Sequence, residues 1–135
     1  MSNQPGTKAN GAGSNQKTAQ QQRAAAAWAD IKSVQKSQKE YGSLVRGFPA
    51  MVQGDGLGAA LAFLLAKAKG DNQSYHHVLY THISNWVMKR LVRQQGDLLR
   101  WLTEQNSAMY RHAATEALAY TAWLKRFAEA EGWTE

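Results

Sequence analysis

Apolar residues recur at intervals of three and four residues from Thr18 almost to the C-terminus of this 135-residue chain. This spacing places them on one face of an α-helix, whereas a half-buried strand would alternate apolar and polar residues. Pro5 and Pro49 are the only prolines in the sequence, so long helices can run without interruption. The pattern predicts an all-α fold, a compact bundle of five to seven helices.

Several turn and capping signals divide this pattern into elements. The first predicted helix has Ala24, Ala27, Trp28, Ile31 and Val34 on its core stripe. Pro49 suits the first turn of a helix, where its missing N–H costs nothing. Asp97 suits an N-cap, and either Asn106 or Ser107 suits the N-cap of the last helix. The predicted elements cover residues 18–38, 40–47, a helix from 49 to the glycines at 54–56, 57–69, 75–95, 98–105 and 108–131. Residues 57–69 are apolar nearly all round, which predicts a central buried helix.

The N-terminal residues have a different composition. Residues 1–17 are rich in Gly, Ser, Asn, Gln and Lys and cannot bury enough apolar surface to offset the entropy of ordering. We therefore predict a flexible, disordered low-complexity tail over 1–17 and a single helical domain over 18–135. The most apolar run, residues 57–66, is about half as long as a membrane span. The sequence favours a cytoplasmic protein without membrane contact.

The charge distribution narrows the function classes. Sixteen basic and ten acidic residues give a net charge of +6, and there is no cysteine. The absence of cysteine excludes disulfides, thiolate catalysis and zinc sites that need sulfur. Residues 1–46 contain seven basic and two acidic residues, so +5 of the excess lies in the first third. A basic balance favours a polyanionic partner, although net charge alone is weak evidence.

Three features of the sequence resemble parts of catalytic or ligand-binding sites, but none of them supports such a site. The run GDGLGA at 54–59 fits a relaxed dinucleotide-binding pattern, but no strand precedes it, so we assign these glycines to a helix junction. The four histidines, at positions 76, 77, 82 and 112, include no pair at the helical spacing that captures a metal. Glu116 lies at the edge of an apolar stripe, where an unpaired charge is costly. We expect it to have a structural partner, either His112 or a basic group on another helix, with a functional carboxylate as the alternative.

No catalytic motif, cofactor or metal site emerges, so we predict a protein that is not an enzyme. Basic clusters recur instead on several predicted helices, and small residues between the cations of the last helix leave room for a phosphate chain. Each cluster by itself is more often a solvated face. The candidate contacts to an RNA backbone are Lys67, Lys89, Arg90, Arg93, Arg111, Lys125 and Arg126.

Two stretches carry a family likeness. The first is residues 41–53 (YGSLVRGFPAMVQ), which runs into 61–67 (LAFLLAK); the second is 110–118 (YRHAATEAL), followed by 123–130 (WLKRFAEA). Together with the start at 23–28 (RAAAAW), they resemble the small α-helical subunit of the type III-B CRISPR RAMP-module (Cmr) effector complex. The likeness covers roughly residues 20–133. Lys67, Arg111, Lys125 and Arg126 fall within it, whereas Lys89, Arg90 and Arg93 rest on charge alone.

The resemblance implies a non-catalytic role in antiviral defence. In that family several copies of the small subunit stack into a minor filament beside a backbone of RNA-binding subunits, and guide RNA with its paired target lies in the groove between them. RNA cleavage belongs to the backbone subunit, and DNA cleavage and cyclic-oligonucleotide synthesis to the large subunit. The implied partners are the other Cmr subunits, further copies of this chain, guide RNA and target RNA.

An open filament needs two different surfaces of one molecule to fit each other. The charge asymmetry suggests that the basic first helix meets the acidic C-terminal end. The candidate assembly residues are Lys32, Lys36, Lys39, Glu129 and Glu131. The alternative function is a protein–protein adaptor with no direct nucleic-acid contact. A small enzyme with a site shared across subunits and a helical DNA-binding regulator are further rivals, although no recognition helix can be placed.

Overall fold

A computed structural model describes residues 16–134, which form six α-helices and one π-helical turn and contain no strand. The all-α prediction and the predicted number of helices are therefore confirmed. The elements are α1 (Ala19–Ser33), α2 (Gln38–Asp55), α3 (Leu57–Ala68), α4 (Tyr75–Val87), the π-helix (Met88–Val92), α5 (Leu98–Leu102) and α6 (Ser107–Ala130). The predicted tail lies outside the described residues except at positions 16 and 17, and the domain over 18–135 stays a prediction.

Helix α1 begins at a capping box and ends earlier than predicted. The Thr18 side chain accepts a bond from the Gln21 backbone N–H, and the Gln21 side chain accepts one from the Thr18 N–H. The helix ends at Ser33 rather than at residue 38, because Val34 turns extended and becomes buried. Trp28 was predicted in the core but is 39% exposed, with its ring packed edge-on against Phe127 on α6.

Helix α2 continues through its proline. We predicted a short element over 40–47 and a new helix starting at Pro49, but Pro49 lies inside one continuous helix. The missing N–H removes one intrahelical hydrogen bond. Val45, Phe48 and Val52 are buried on both sides of the proline, and their packing keeps the helix intact across the gap. The junction at Gly56, with φ of 91°, separates α2 from α3 as predicted.

Helix α3 is buried on one face, not all round. Leu57, Leu61 and Leu64 are fully buried. Phe63 is 38% exposed, and the neighbouring alanines on the same face of α3, at positions 59, 62 and 66, are exposed as well. The expectation of a central, fully buried helix is therefore wrong. Composition predicted the burial, but the position of α3 at the side of the bundle leaves half of its surface uncovered.

The core is a stack of helices with α1 and α3 at its two sides. Helices α2, α4 and α6 pack against one another. Helix α1 packs on the α6 side, and α3 packs on α2 and α4, with α5 against α3 and α4. Fully buried side chains from every α-helix fill the interior, among them Ile31, Phe48, Leu64, Ile83 and Tyr120. This arrangement places α1, the π-helix and the first half of α6 around one surface.

The C-terminal residues close one end of the core. Trp133 is 7% exposed and its ring stands edge-on to Tyr41 at 6.2 Å. It lies directly over Gly42, where an added Cβ would come within 2.6 Å of the Trp133 backbone oxygen. A glycine at position 42 is thus required by close approach rather than by backbone conformation.

Candidate nucleic-acid interface

The π-helix places three cations at one surface. We predicted a continuous helix over residues 75–95, but α4 ends at Val87 and a π-helix follows to Val92. Lys89 and Arg90 lie within it, and Arg93 ends it in the left-handed conformation, with φ of 65°. The Arg93 N–H donates to the Met88 carbonyl oxygen at 2.9 Å. Single π-helical turns are uncommon and are found frequently at functional sites, which draws attention to this surface.

A cavity of about 460 Å³ lies between the π-helix and the start of α1. No carboxylate lines it. Its lining residues are Lys17, Gln22, Ala25, Ala26, Trp86, Lys89, Arg90 and Arg93. A second cavity of about 550 Å³ is lined by Lys89, Arg93, Asn85, Gln94 and Gln95. Lys89 and Arg93 line both cavities, so the positive charge is concentrated at the boundary between them.

A third cavity, of about 440 Å³, joins this surface to α6. It is lined by Arg23, Arg90, Leu91, Ala108, Arg111, His112, Thr115 and Glu116. Because Arg90 lines both the first and the third cavity, the two lie side by side on this surface. We call this surface the cationic groove and define it by Lys17, Arg23, Lys89, Arg90, Arg93 and Arg111. The structure thus brings together four of the seven predicted contacts, Lys89, Arg90, Arg93 and Arg111.

A buried carboxylate lies under the groove. The Arg23 guanidinium donates to Glu116 through Nε at 2.6 Å and Nη2 at 3.0 Å, and Trp86 Nε1 donates to the same carboxylate at 2.8 Å. Arg90 Nε lies 3.9 Å from Glu116 Oε1. The Glu116 side chain is only 8% exposed. The expectation of a structural partner on another helix is confirmed, and that partner is Arg23, not His112.

These contacts hold Glu116 ionised. Burial by itself would raise its pKa, but the hydrogen bonds from Arg23 and Trp86, with the charges of Arg23 and Arg90, outweigh burial and lower the pKa below its usual value. The hydrogen bond to Glu116 likewise raises the pKa of Arg23. The carboxylate therefore neutralises Arg23 and, in part, Arg90, whereas Lys17, Lys89, Arg93 and Arg111 form no ion pair with any residue of 16–134.

The other three predicted RNA contacts lie away from the cationic groove. Lys67 is on α3, with its Nζ 5.9 Å from the Phe63 ring centre. The Arg126 guanidinium lies 4.9 Å from the Trp123 ring centre. Lys125 directly precedes Arg126, and both residues lie in the C-terminal part of α6. None of the three lines a cavity described above. The seven candidates therefore do not form a single surface.

Three of the five predicted assembly residues, Lys32, Lys36 and Glu131, already form side-chain hydrogen bonds within their own chain. Lys32 Nζ donates to Glu131 at 3.1 Å, and Lys36 Nζ donates to Gln73 at 2.9 Å. Lys39 and Glu129 are exposed. A contact between copies through Lys32 or Glu131 would have to share or replace the bond that these two residues make within one molecule.

Sequence reasoning missed Arg23 and Lys17 as parts of this surface. Arg23 belongs to the family-like segment 23–28, and the isolated Glu116 requires a cationic partner. No pattern in the sequence indicates which of the sixteen basic residues is that partner. Lys17 had been assigned to the tail. Lys17 lies just before α1 and Arg23 lies in its first half. Only the packing of α1 on α6 places these two residues near the π-helix.

The described residues contain no group of three or more His, Asp or Glu side chains placed to hold a metal. Ser33, His82 and Asp30 do lie together, with Ser33 Oγ 3.4 Å and Asp30 Oδ1 3.9 Å from His82 Nε2. A catalytic triad needs the carboxylate on the other ring nitrogen. Here His82 Nδ1 instead bonds to the Tyr41 hydroxyl at 2.8 Å. This grouping is not a nucleophile–base–acid arrangement.

Burial also makes His82 a poor base. Burial lowers its pKa to about 4, and burial raises the pKa of Asp30 to about 6 against the opposing hydrogen bond from Tyr120. With Tyr41 and Tyr120, the two groups form a polar network between α1, α2, α4 and α6, in which Asp30 is partly exposed and the other three side chains are buried. Among residues 16–134, no helix has the length and apolar character required to cross a membrane.

Fold and surface together define the class: a small all-α protein with a cationic groove over a buried ion pair and, in residues 16–134, no recognisable metal cluster. Residues 19–131 match the family model described as CRISPR-associated protein (Cas_Cmr5). The chain therefore belongs to the Cmr5 family, and it is a small subunit of a type III-B Cmr complex, as its sequence resemblance implied.

A solved structure agrees with this assignment. The chain is similar to the X-ray crystal structure of a CRISPR-associated Cmr5 family protein from Thermus thermophilus. The two are 26% identical and superpose with a TM-score of 0.71. The match covers 88% of this chain and all of the other. The overall fold is thus shared with a member of the same family.

Proposed function

We propose that this chain is a non-catalytic subunit that stacks with further copies of itself in a cytoplasmic type III-B effector complex and helps to hold guide RNA and target RNA. The cationic groove carries this proposal. Lys89, Arg93 and Arg111 make no ion pair with any residue of 16–134, and they line neighbouring cavities of about 440 to 550 Å³. Cations without an ion pair suit a polyanion better than a neutral ligand, and Glu116, the carboxylate that lines the third cavity, is already bonded to Arg23.

The geometry favours backbone contact over base readout. The groove presents Lys and Arg from three different elements, and such contacts position a nucleic acid without reading its sequence. Glu116 supports the groove from below by holding Arg23 and part of Arg90 in place. A subunit of this kind adds affinity that any guide and target sequence can use.

The test is a salt titration of target RNA binding by the reconstituted complex. Each phosphate contact removed reduces the slope of log K against log salt concentration by about 0.7 to 0.9. We expect Lys89→Ala and Arg93→Ala each to reduce the slope by one such step for every copy in contact with RNA, with little base preference. Arg100→Ala is the matched control, because Arg100 is an exposed arginine of α5 that lines none of the groove cavities.

An unchanged slope in both variants would contradict the RNA role and favour the adaptor that contacts only protein. RNA crosslinking within the complex separates the same two functions directly. Lys67, Lys125 and Arg126 remain further proposed contacts, and Lys32, Lys36, Lys39, Glu129 and Glu131 remain proposed assembly residues. The same titration of Arg126→Ala tests whether RNA also reaches the end of α6.

A further inference from the structure

The second cavity, of about 550 Å³, differs from the rest of the cationic groove in its polar lining. Two cations and three amide side chains line it: Lys89, Arg93, Asn85, Gln94 and Gln95. All five residues are exposed, and no carboxylate is among them. No side-chain hydrogen bond within the described part of the chain uses the three amides, so their donors and acceptors are open to a ligand. We call this cavity the amide pocket.

Local structure places the amides beside the two cations. Asn85 lies near the end of α4 and Lys89 lies in the π-helix, four positions later and so about one helical turn away. The chain then turns at Arg93, whose φ is 65°, and this turn brings Gln94 and Gln95 back to the same cavity. The pocket therefore depends on the π-helix and on the left-handed residue that ends it.

The segment that follows the two glutamines is held against α4. The buried Ser84 hydroxyl donates to the Gly96 carbonyl oxygen at 3.3 Å and accepts from the Leu98 N–H at 3.0 Å. Because one side chain of α4 bonds both of these backbone groups, the chain directly after Gln95 has a fixed position. Groups that are already in place lose less conformational entropy when a ligand binds.

The chemistry of the lining determines which ligand fits the amide pocket. Lys and Arg side chains only donate hydrogen bonds, whereas an amide side chain both donates and accepts. A phosphate oxygen only accepts, so a phosphate alone would leave the three amide carbonyl oxygens without a partner. A ligand that uses the whole lining combines negative charge with a group that both donates and accepts. A ribose 2′-hydroxyl beside its phosphate has this combination, and DNA lacks it.

The position of the pocket favours the sugar over the bases. Lys89 and Arg93 line both the first cavity and the amide pocket, so a backbone that contacts these cations passes the amides. In the proposed function the guide is paired with its target, and the pairing edges of the bases are then occupied. An A-form duplex instead displays its 2′-hydroxyl groups along a wide, shallow minor groove.

We propose that the amide pocket binds ribose 2′-hydroxyl groups of the RNA whose phosphates contact Lys89 and Arg93, so that this subunit favours RNA over DNA. The proposal rests on the RNA role in the proposed function and adds recognition of the sugar to it. The two cations contribute equally to RNA and DNA binding, because both polymers carry the same phosphates. The three amides contribute only where a 2′-hydroxyl is present.

The test compares target strands of one sequence in the reconstituted complex, one of RNA and one with 2′-fluoro groups throughout. The fluoro group keeps an RNA-like sugar pucker but cannot donate a hydrogen bond. The triple variant Asn85→Ala, Gln94→Ala, Gln95→Ala should weaken binding of the RNA target by about twofold to tenfold for each hydrogen bond lost. Its affinity for the 2′-fluoro target should equal that of the wild type.

A second arm identifies the strand that supplies the hydroxyl. Complexes are assembled with a 2′-fluoro guide and tested with an unmodified RNA target. If the guide lies in the amide pocket, the triple variant loses its effect in this arm and keeps it with the 2′-fluoro target. If the target lies there, the two outcomes are reversed.

Gln53→Ala is the matched control, because Gln53 is an exposed glutamine of α2 that lines none of the groove cavities. It should change binding of neither target. Lys89→Ala is the second control and should weaken binding of the RNA and 2′-fluoro targets by the same factor. The triple variant removes only exposed side chains, so its unfolding midpoint should match that of the wild type.

Three results would overturn the proposal: no loss of RNA affinity in the triple variant, an equal loss with unmodified and substituted strands, and a loss that depends on base sequence. The salt slope separates this failure from that of the proposed function. A reduced slope in Lys89→Ala with an unchanged sugar preference in the triple variant would reject the amide pocket and leave the RNA role. Unchanged slopes in both Lys89→Ala and Arg93→Ala would reject the two together.

Discussion

Arg23 and Arg93 line the same cationic groove and differ in almost every physical respect. The Arg23 side chain is 17% exposed and forms two hydrogen bonds with a carboxylate beneath it. Arg93 is exposed at the end of the π-helix and bonds no acidic residue of the described chain. One arginine is used within the fold and the other is available to a ligand. The carboxylate below the surface makes this difference, and net charge does not reveal it.

The largest expected effect comes from removing the charge of Glu116. Glu116→Gln leaves Arg23 buried without a counter-charge, so we expect the free energy of unfolding to fall by about 2 to 4 kcal/mol. Chemical denaturation measures this loss.

The same pair gives a pH signature. The folded pKa of Glu116 is lowered, so its stabilising contribution is complete above pH 4.5, its usual pKa, and is lost as the pH falls through the folded value. Glu116→Gln should remove this acid-dependent loss. Arg93→Ala is the control and should change stability by less than about 0.5 kcal/mol. Equal losses in the two variants would erase the contrast between the paired and the free arginine.

The next prediction concerns Asp30 and His82. The pKa of Asp30 is raised from 3.8 to about 6, so protonation of the folded Asp30 stabilises the fold as the pH falls. The pKa of His82 is lowered from 6.5 to about 4, so protonation of this histidine in the unfolded chain destabilises the fold over the same pH range. The two effects cancel between about pH 4 and 6. Asp30→Asn should uncover the histidine, and stability should fall relative to wild type by about 1.4 kcal/mol per pH unit.

Urea denaturation at pH 4, 5 and 6 measures this divergence. The double variant Asp30→Asn with His82→Gln is the control, and its pH dependence should return to that of the wild type. Parallel curves for the wild type and Asp30→Asn would show that the two side chains do not titrate as opposing groups.

The smallest expected effect is at Arg90, which lies between the two classes. Its Nε is 3.9 Å from Glu116, but its side chain is 35% exposed, so the ion pair is screened by water. Arg90→Ala should lower the free energy of unfolding by less than about 1 kcal/mol and should also reduce the RNA salt slope by one contact. Chemical denaturation measures the change in stability of Arg90→Ala, and the salt titration measures its change in RNA contacts. A stability loss as large as that of Glu116→Gln would make Arg90 a second structural arginine.

Local signals in the sequence were reliable where the structure depends on neighbours along the chain. Asp97 caps α5 as predicted, and Asn106, one of the two predicted candidates, caps α6. Such caps are predictable because the side chain and the N–H group that donates to it are only three residues apart. The glycine junction at 56 was also correct. Pro49 misled the prediction, because its effect on a helix depends on the packing of Phe48 and Val52 against other helices.

The sequence by itself determined the all-α class, a bundle of five to seven helices, the caps of α5 and α6 and the absence of cysteine chemistry, since these follow from periodicity and composition. Its resemblance also led to the correct family. Tertiary structure alone decided that Arg23 pairs with Glu116, 93 positions away, and that Trp28 and Phe63 stay exposed. Burial and ion pairing depend on which helices meet, and a repeat of three and four residues shows that a helix has an apolar face without showing what covers it.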